Sequence, residues 1–387
     1  MTYDVVISGA GSAGLSTAIF CARAGLDVLV LEKNSKTGVF PRGETMRPEP
    51  IIAELLGPDF MDQISFNRTA LRRYYSPGCR EFFSLKRDHA SYIFHWKDLT
   101  EGLKAVAEQE GVTVLMKHEV LAPVERNSNV VGVITGDGKI QNGTTIVAAD
   151  GYNSILGRKS GVNFSKINSP VAKRICSGIE SDFPGMEFFI ITPGTLAKFK
   201  AHPPMIAFIF PRGDGDAEAG VMVLTGAMPP GKRAGAPSGE ELLKILKSLW
   251  ETYPVFSDKL KNADVSFEGA SIIPMAGMHH DASSVPGLVL TGDTIGLVEA
   301  SGGCGIVATM KNGKFLSRFL ADNDVKEWNR RLMKQYNREF QKSDIYCHIS
   351  GKYRKLLPVM RLLLNRKWRY GSFDLLWRVV GKFNRKA

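Results

Sequence analysis

The sequence predicts an α/β protein: a discontinuous Rossmann-like nucleotide-binding domain, an inserted β-rich substrate domain and a helical, basic C-terminal region. Three observations lead there. A strand, glycine turn, helix and second strand open the chain, and alternating strands take over between about residues 163 and 271. The α/β character then returns near Leu288 and gives way to helix from Glu327. A length of 387 residues fits two or three domains at roughly 150 residues each. The boundaries drawn from the pattern are 1–75, 96–162 and 272–320 for the nucleotide domain, 76–95 and 163–271 for the β-rich domain, and 321–387 for the C-terminal region.

Composition narrows the class. Apolar residues make up 44% and charged residues 23%, enough for a full core, which excludes wholesale disorder, collagen and a disulfide scaffold. Five scattered cysteines, Cys21, Cys79, Cys176, Cys304 and Cys347, form no CxxC pair, which argues against structural zinc and for a reducing compartment. The chain runs from Met1 straight into an apolar strand, so a secretory signal is not expected. No uncharged apolar run reaches about 18 residues, so no membrane-spanning helix is expected and a cytoplasmic location is. Of the net charge of +11, the segment from Gly351 onward supplies +10 through eleven Lys and Arg against Asp374. A near-neutral body speaks against nucleic acid as partner, since basic residues would be needed around the functional site itself.

The elements follow in order. Tyr3–Ile7 is a short β-branched apolar run ended by Ser8-Gly9, a buried strand. Residues 13–25 have helical length and a closing glycine, and residues 27–31 form a second buried strand, completing a βαβ unit. Residues 96–110 read as an amphipathic helix and 112–116 as a strand. Residues 130–135 and 139–148 read as a hairpin around Asp137-Gly138. Ile206–Phe210 and Ala219–Leu224 alternate as strands, with a Pro/Gly-rich break over 228–239. From Glu327, Trp328, Leu332, Tyr336 and Phe340 recur every four residues on one helical face.

Gly9-Ala10-Gly11-Ser12-Ala13-Gly14 lies where a GxGxxG turn acts. Gly9 makes the tight turn, Gly11 lets backbone approach a pyrophosphate, and Gly14 packs helix on strand. The N–H groups at the helix start then aim at the phosphates. Glu32 follows Gly9 by 23 residues, the spacing of an acid that bonds a ribose 2′-OH, and its charge disfavours NADP here. The βαβ unit alone does not choose between NAD and FAD.

Two later segments bear on that choice. The strand Thr144–Ala149 with Asp150-Gly151 resembles the DG motif of FAD-dependent hydroxylases and their relatives, and Leu288–Leu290 with Gly292-Asp293 resembles their GD motif. Within that superfamily the likeness is to the geranylgeranyl reductase family. It is carried by Gly292–Gly296 through Gly305-Ile306, by Ile206–Gly213 ending in Phe-Pro-Arg-Gly, and by Arg42-Gly43-Glu44. The resemblance implies an FAD-binding domain. It implies cofactor contacts at Gly9, Gly11, Ala13, Gly14, Glu32, Lys33, Arg42, Gly43, Val120, Asp150, Gly151, Asp293, Gly305 and Ile306. It also implies reduction of isoprenoid double bonds, with NADH, NADPH or a ferredoxin as transient donor. Arg42 stands where many members have cysteine, Ile206 and Phe208 where they have Tyr and Trp, Ala300 where they have proline, and Trp96 or Lys97 where the superfamily has arginine.

Flavin reduction of an alkene needs a hydride on one carbon and a proton on the other, in a dry apolar pocket. Phe188, Phe189, Ile190, Phe208 and Phe210 are candidates to line it, or are simply the inner face of a sheet. Cys304, in a glycine loop at a helix start, is the candidate proton donor, the helix dipole favouring a thiolate; otherwise it is a small residue in a crowded turn. Glu44 beside the flavin could orient a substrate head group, or pair with Arg42 at the surface. His95 and His348 have no partner at ligand spacing and no metal is expected. The alternatives are a flavin monooxygenase of an apolar or aromatic compound and a non-catalytic electron carrier. Against the first, Gly296 stands where hydroxylases commonly have histidine, and no WxWxIP segment of the halogenases is present. In the tail, a helix starting at Pro358 carries Val359, Met360, Leu363 and Leu364, and Phe373, Leu376, Val380 and Phe383 repeat the spacing. Such a basic amphipathic segment suits an anionic membrane surface or packs its apolar face on the protein.

Overall fold

Val5, Val6 and Ile7 are fully buried in β1 (Thr2–Ser8), inside one core that also holds Leu15, Leu99, Val133 and Met310, so the strand reads as one apolar run. The computed structural model describes residues 2–40, 43–161, 168–193, 202–228, 236–275, 277–300, 303–364 and 377–379. Arg42, Ser301-Gly302 and most of the tail, including Phe373, Leu376, Val380 and Phe383, lie outside the described residues. After β1 come α1 (Ser12–Arg23), β2 (Val28–Glu32), β3 (Gly43–Met46), α2 (Pro50–Leu56), α3 (Phe60–Ile64), β4 (Ser65–Tyr75) and β5 (Phe82–His95). Next are α4 (Trp96–Gln109), β6 (Thr113–Met116), β7 (Val120–Arg126), β8 (Asn129–Thr135), β9 (Ile140–Ala148) and α5 (Ile155–Lys159). The second half holds β10 (Ser169–Ser177), β11 (Met186–Ile191), β12 (Met205–Gly213), β13 (Asp216–Val223), α6 (Gly239–Thr252), α7 (Phe256–Leu260) and β14 (Asp264–Ile273). It closes with β15 (Leu288–Leu290), α8 (Ile306–Asp322), α9 (Arg330–Lys342) and α10 (Asp344–Leu364).

Two sheets organise these elements. The first runs β6-β2-β1-β9-β8-β7, with β15 also on β9. Its β2, β1, β9 and β15 pairings are parallel, as the βαβ reading requires, while β8 pairs antiparallel with both β7 and β9. The turn at Asp137-Gly138 closes the expected hairpin: Gly138 has φ +79°, and the Thr135 hydroxyl donates to Asp137 at 2.6 Å. Helices α1 and α8 pack so closely that a Cβ on Gly313 would lie 2.8 Å from the Thr17 backbone nitrogen.

The second sheet runs β14-β10-β13-β12-β11-β4-β5-β3. It draws β3 and β4 out of the segment 1–75 assigned to the nucleotide domain: β4 pairs parallel with β11, and β3 antiparallel with β5. The reason is non-local. Arg68, Arg72 and Arg73 interrupt any apolar run in β4, and its partner Met186–Phe189 lies more than a hundred residues downstream. Side chains alternate across this sheet. Ala207 and Ile209 face α6, while Ile206, Phe208 and Phe210 join Met360 and Leu364 of α10 and Trp377 on the other face.

Two expectations change. Helix α6 follows the break over 228–239 and was absent from the sequence reading. Its start is a capping box, with the Glu241 N–H donating to Ser238 Oγ at 3.2 Å and the Ser238 N–H donating to Glu241 Oε2 at 2.7 Å. The terminal helix begins at Asp344 instead of Pro358, and the proline lies inside it, leaving one carbonyl of the preceding turn without its N–H partner. On α9, Tyr336 and Phe340 are buried, and Trp328 just before the helix donates its indole N–H to Thr145 Oγ1 at 2.9 Å.

Candidate active site

Three loops meet at the start of α1. A Cβ on Gly9, whose φ is +105°, would fall 2.5 Å from the Ala149 carbonyl oxygen, and one on Gly14 would strike the Gly9 carbonyl at 1.9 Å. The glycine turn is thereby pressed against the end of β9, where the DG motif begins. The GD turn closes from the other side: a Cβ on Gly292, at φ +65°, would lie 2.6 Å from that of Ala13. The Thr294 hydroxyl donates to the Gly151 carbonyl at 3.1 Å, joining DG to GD. Asp293 is exposed in its 3-10 turn.

These residues fit FAD. The first intrahelical bond of α1 is Leu15 N–H to the Gly11 carbonyl, so the preceding donors face outward with no side-chain cap. Nothing lies within 4 Å of a Cβ placed on Gly11, the open space a pyrophosphate needs. Asp150 Oδ2 accepts the Ile155 N–H at 2.8 Å, while its Oδ1 is buried without a partner among the described residues and is ready to accept from a ligand hydroxyl. Glu32 accepts from Ala10 N–H at 2.9 Å through Oε2 and from Asn34 through Oε1, so it holds the glycine turn to the segment that follows β2. Lys33 is exposed just beyond. The His118 N–H donates to the Glu32 carbonyl, which brings the buried Val120 to this end of β2. Gly43 opens β3 opposite His95, with Glu44 next to it.

Gly305 caps α8 and Ile306 is its first residue. Cys304, just before, donates its thiol to the Thr45 carbonyl at 3.6 Å. Burial, with Glu44 nearby, pushes the thiol up to about 12, although the Ile306 N–H pulls it the other way. The dipole argument for a thiolate therefore fails here: desolvation outweighs it, and the sulfur stays protonated.

Phe188, Phe208 and Phe210 are brought together with Ile190 as a stacked inner face of the sheet, whereas Phe189 lies on the opposite face against α6 and α7, as alternation along β11 requires. The Phe208 and Phe210 rings are 4.6 Å apart, Phe188 stacks on Tyr74 at 5.0 Å, and Trp377 contacts Phe83 in the same run while donating its indole N–H to the Tyr74 carbonyl at 3.0 Å. The cavity of about 490 Å³ beside Cys304 has other walls, lined by Thr45, Arg72, Arg87, Lys311 and Lys352 among others, and by none of these three phenylalanines. Val298 and Met275 belong to the aromatic cluster, and a Cβ placed on Gly303 would lie 3.3 Å from Ile273 and 3.6 Å from Met275, so the cluster comes near the loop that carries Cys304. Of the histidines, Arg212 lies 2.6 Å from His95 Nε2, and burial together with that charge lowers the His95 pKa. His348 stands 3.5 Å from Glu299. Among the described residues no cluster of His, Cys, Asp or Glu could hold a metal ion, and no helix is long and apolar enough to cross a membrane.

The clamp of three loops at a helix start, beside a second sheet with an aromatic face, defines an FAD-dependent oxidoreductase. The chain belongs to the family described as FAD binding domain, whose profile matches residues 2–56 and 84–343. It is 26% identical over 364 residues to the digeranylgeranylglycerophospholipid reductase of Picrophilus torridus, covering 87% of this chain and 83% of that one. It is 28% identical over 353 residues to the menaquinone reductase of Mycobacterium tuberculosis, covering 87% and 81%. In fold it matches the geranylgeranyl bacteriochlorophyll reductase-like protein of Thermoplasma acidophilum with a TM-score of 0.81 and 21% identity, over 98% of this chain and 92% of that one.

Proposed function

We propose that this enzyme saturates carbon–carbon double bonds of an isoprenoid lipid, polyprenyl or geranylgeranyl in type, with NADH, NADPH or a ferredoxin as passing electron donor. The observation that carries this reading is the aromatic face of Phe188, Phe208 and Phe210, which runs through Met275 and Val298 to the Cys304 loop. An alkene offers no polar handle, so an apolar wall leading to the reacting position is what its binding requires. The reductase names carried by relatives that align over most of the chain support the same reading.

Gly11 and the N-terminal donors of α1 would hold the pyrophosphate, Glu32 the ribose, and Asp150 Oδ1 and Asp293 further hydroxyls of the cofactor. Bound FAD would supply the hydride for one alkene carbon. Cys304, protonated through the physiological range, donates a proton to the other carbon and regains one from water in the adjoining cavity. Trp377 and the end of α10 close the aromatic face from outside and exclude water.

A cytoplasmic enzyme with this substrate must meet a membrane surface. Lys355, Val359 and Leu362 form one exposed strip at helical spacing near the end of α10, with Arg354 beside it, which suits contact with anionic lipid. The reading is tested by anaerobic mixing of reduced holoenzyme with a polyprenyl lipid. Reoxidation of the flavin without oxygen supports a reductase; no reoxidation until oxygen is admitted, with an oxygen atom then found in the lipid, would assign a monooxygenase.

A further inference from the structure

The cavity beside Cys304 is unsuited to a hydrocarbon chain, because its walls are rich in charge: Arg72 and Arg87 on the sheet side, and Lys311 and Lys352 with the carboxylates of Glu299 and Asp344 on the helical side. Several of these charges are already answered. Glu49 pairs with Lys311 at 3.1 Å and with Arg47 at 2.8 Å, and Glu299 pairs with Lys352 at 2.9 Å. Arg72 and Arg87 are different, since neither forms an ion pair among the described residues. Arg72 donates only to neutral groups: the Thr69 and Leu71 carbonyls at 3.2 and 3.1 Å, and Ser91 Oγ at 2.7 Å. Burial and the charge of Arg87 both lower the Arg72 pKa, with Tyr74 opposing them.

The backbone builds this pair. Thr69 is opposite Ser91 and Leu71 opposite Lys86, so β5 carries three more residues than β4 between those points. The excess forms a bulge that presents Arg87 and His89 to the cavity across from Arg72. The two guanidinium groups line one cavity, close enough for the charge of Arg87 to disfavour that of Arg72, and their forked donors match a tetrahedral dianion.

We propose that this cavity binds a phosphoryl group through Arg72 and Arg87. The site follows from the cavity itself; the identity of its occupant rests on the reductase reading. In that reaction a phosphoryl group comes either from a phosphate-bearing isoprenoid substrate or from a nicotinamide dinucleotide donor.

The test uses the full FAD-loaded chain. Calorimetric titration with inorganic pyrophosphate is expected to show binding that Arg87→Gln and Arg72→Gln each weaken about tenfold or more, and that Lys244→Gln, on the exposed face of α6, leaves unchanged. Because Arg87 is exposed on a bulge, its variant keeps the sheet intact and decides the matter if Arg72→Gln misfolds. A similar fall in the kcat/KM preference for geranylgeranyl phosphate over geranylgeraniol assigns the site to the substrate. A similar rise in KM for NADH or NADPH in flavin reduction assigns it to the donor. Binding of pyrophosphate that depends on Arg87, in a protein that reduces no alkene, sinks the reductase reading and leaves the site standing. No binding, or binding indifferent to both arginines, overturns the proposal.

Discussion

Gly292 and Ala13, 279 residues apart, touch so closely that any side chain on the glycine would collide with the alanine Cβ, at 2.6 Å. This contact fixes the GD turn against the first turn of α1, and its φ of +65° independently favours glycine. Gly292→Val is expected to purify with little or no flavin, since the GD turn must back away from the pyrophosphate position. The ratio of bound FAD to protein, read by absorbance after gel filtration, checks this. Full occupancy would show that the contact does not shape the site.

Glu32 has two tasks, and its replacement tests both. Glu32→Ala leaves the Ala10 N–H and two Asn34 donors without their acceptor, a loss of about 1–3 kcal/mol if those groups stay shielded from water. We expect FAD affinity to fall by at least tenfold, with Glu32→Gln intermediate because it can still accept one of the bonds. Fluorescence titration of the apoprotein with FAD measures it.

Cys21 and Cys304 are both pushed up to about 12 by burial, from an ordinary thiol value near 9. Their folded pKa is raised, so the stability they contribute is complete below about pH 9 and is lost as pH rises toward 12. Urea unfolding is expected to show the protein weakening between pH 8.5 and about pH 11, and Cys304→Ser to flatten that decline. The same burial predicts slow alkylation of Cys304 by iodoacetamide at pH 8, where the exposed Cys347 reacts readily. Rapid labelling of Cys304 would refute the protonated-thiol assignment.

The capping box of α6 provides a separable control. Ser238→Ala removes the side-chain acceptor for the Glu241 N–H and should cost about 1 kcal/mol of stability. Flavin content should not change, because α6 packs on the face of the second sheet opposite Phe208. Denaturant midpoints and flavin ratios from one preparation report both.

The nucleotide unit was legible because each of its signals is local. β1 and β2 are buried on both faces and read as apolar runs, and Gly9, Gly14 and Gly292 each meet backbone or Cβ atoms that no other residue would tolerate. The second sheet was legible only where strands alternate. β4 was missed as a member because its arginines mask the pattern and its pairing with β11 is long-range. The helix α6 was legible in principle, since Ser238-Gly239-Glu240-Glu241 precedes Leu242, Ile245, Leu246 and Leu249 at helical spacing. The state of Cys304 was not legible, as it depends first on burial in the folded chain and then on Glu44, 260 residues away. Nor was the arginine pair, which belongs to no motif and exists through a mismatch in strand length.

The most direct measurement is the mass of the product. FAD-loaded enzyme, reduced and held without oxygen, is incubated with a geranylgeranyl lipid, and the extract is resolved by mass spectrometry. A reductase built as described adds two hydrogens for each double bond it saturates. A lipid recovered unchanged, or carrying an added oxygen once air is supplied, would contradict it.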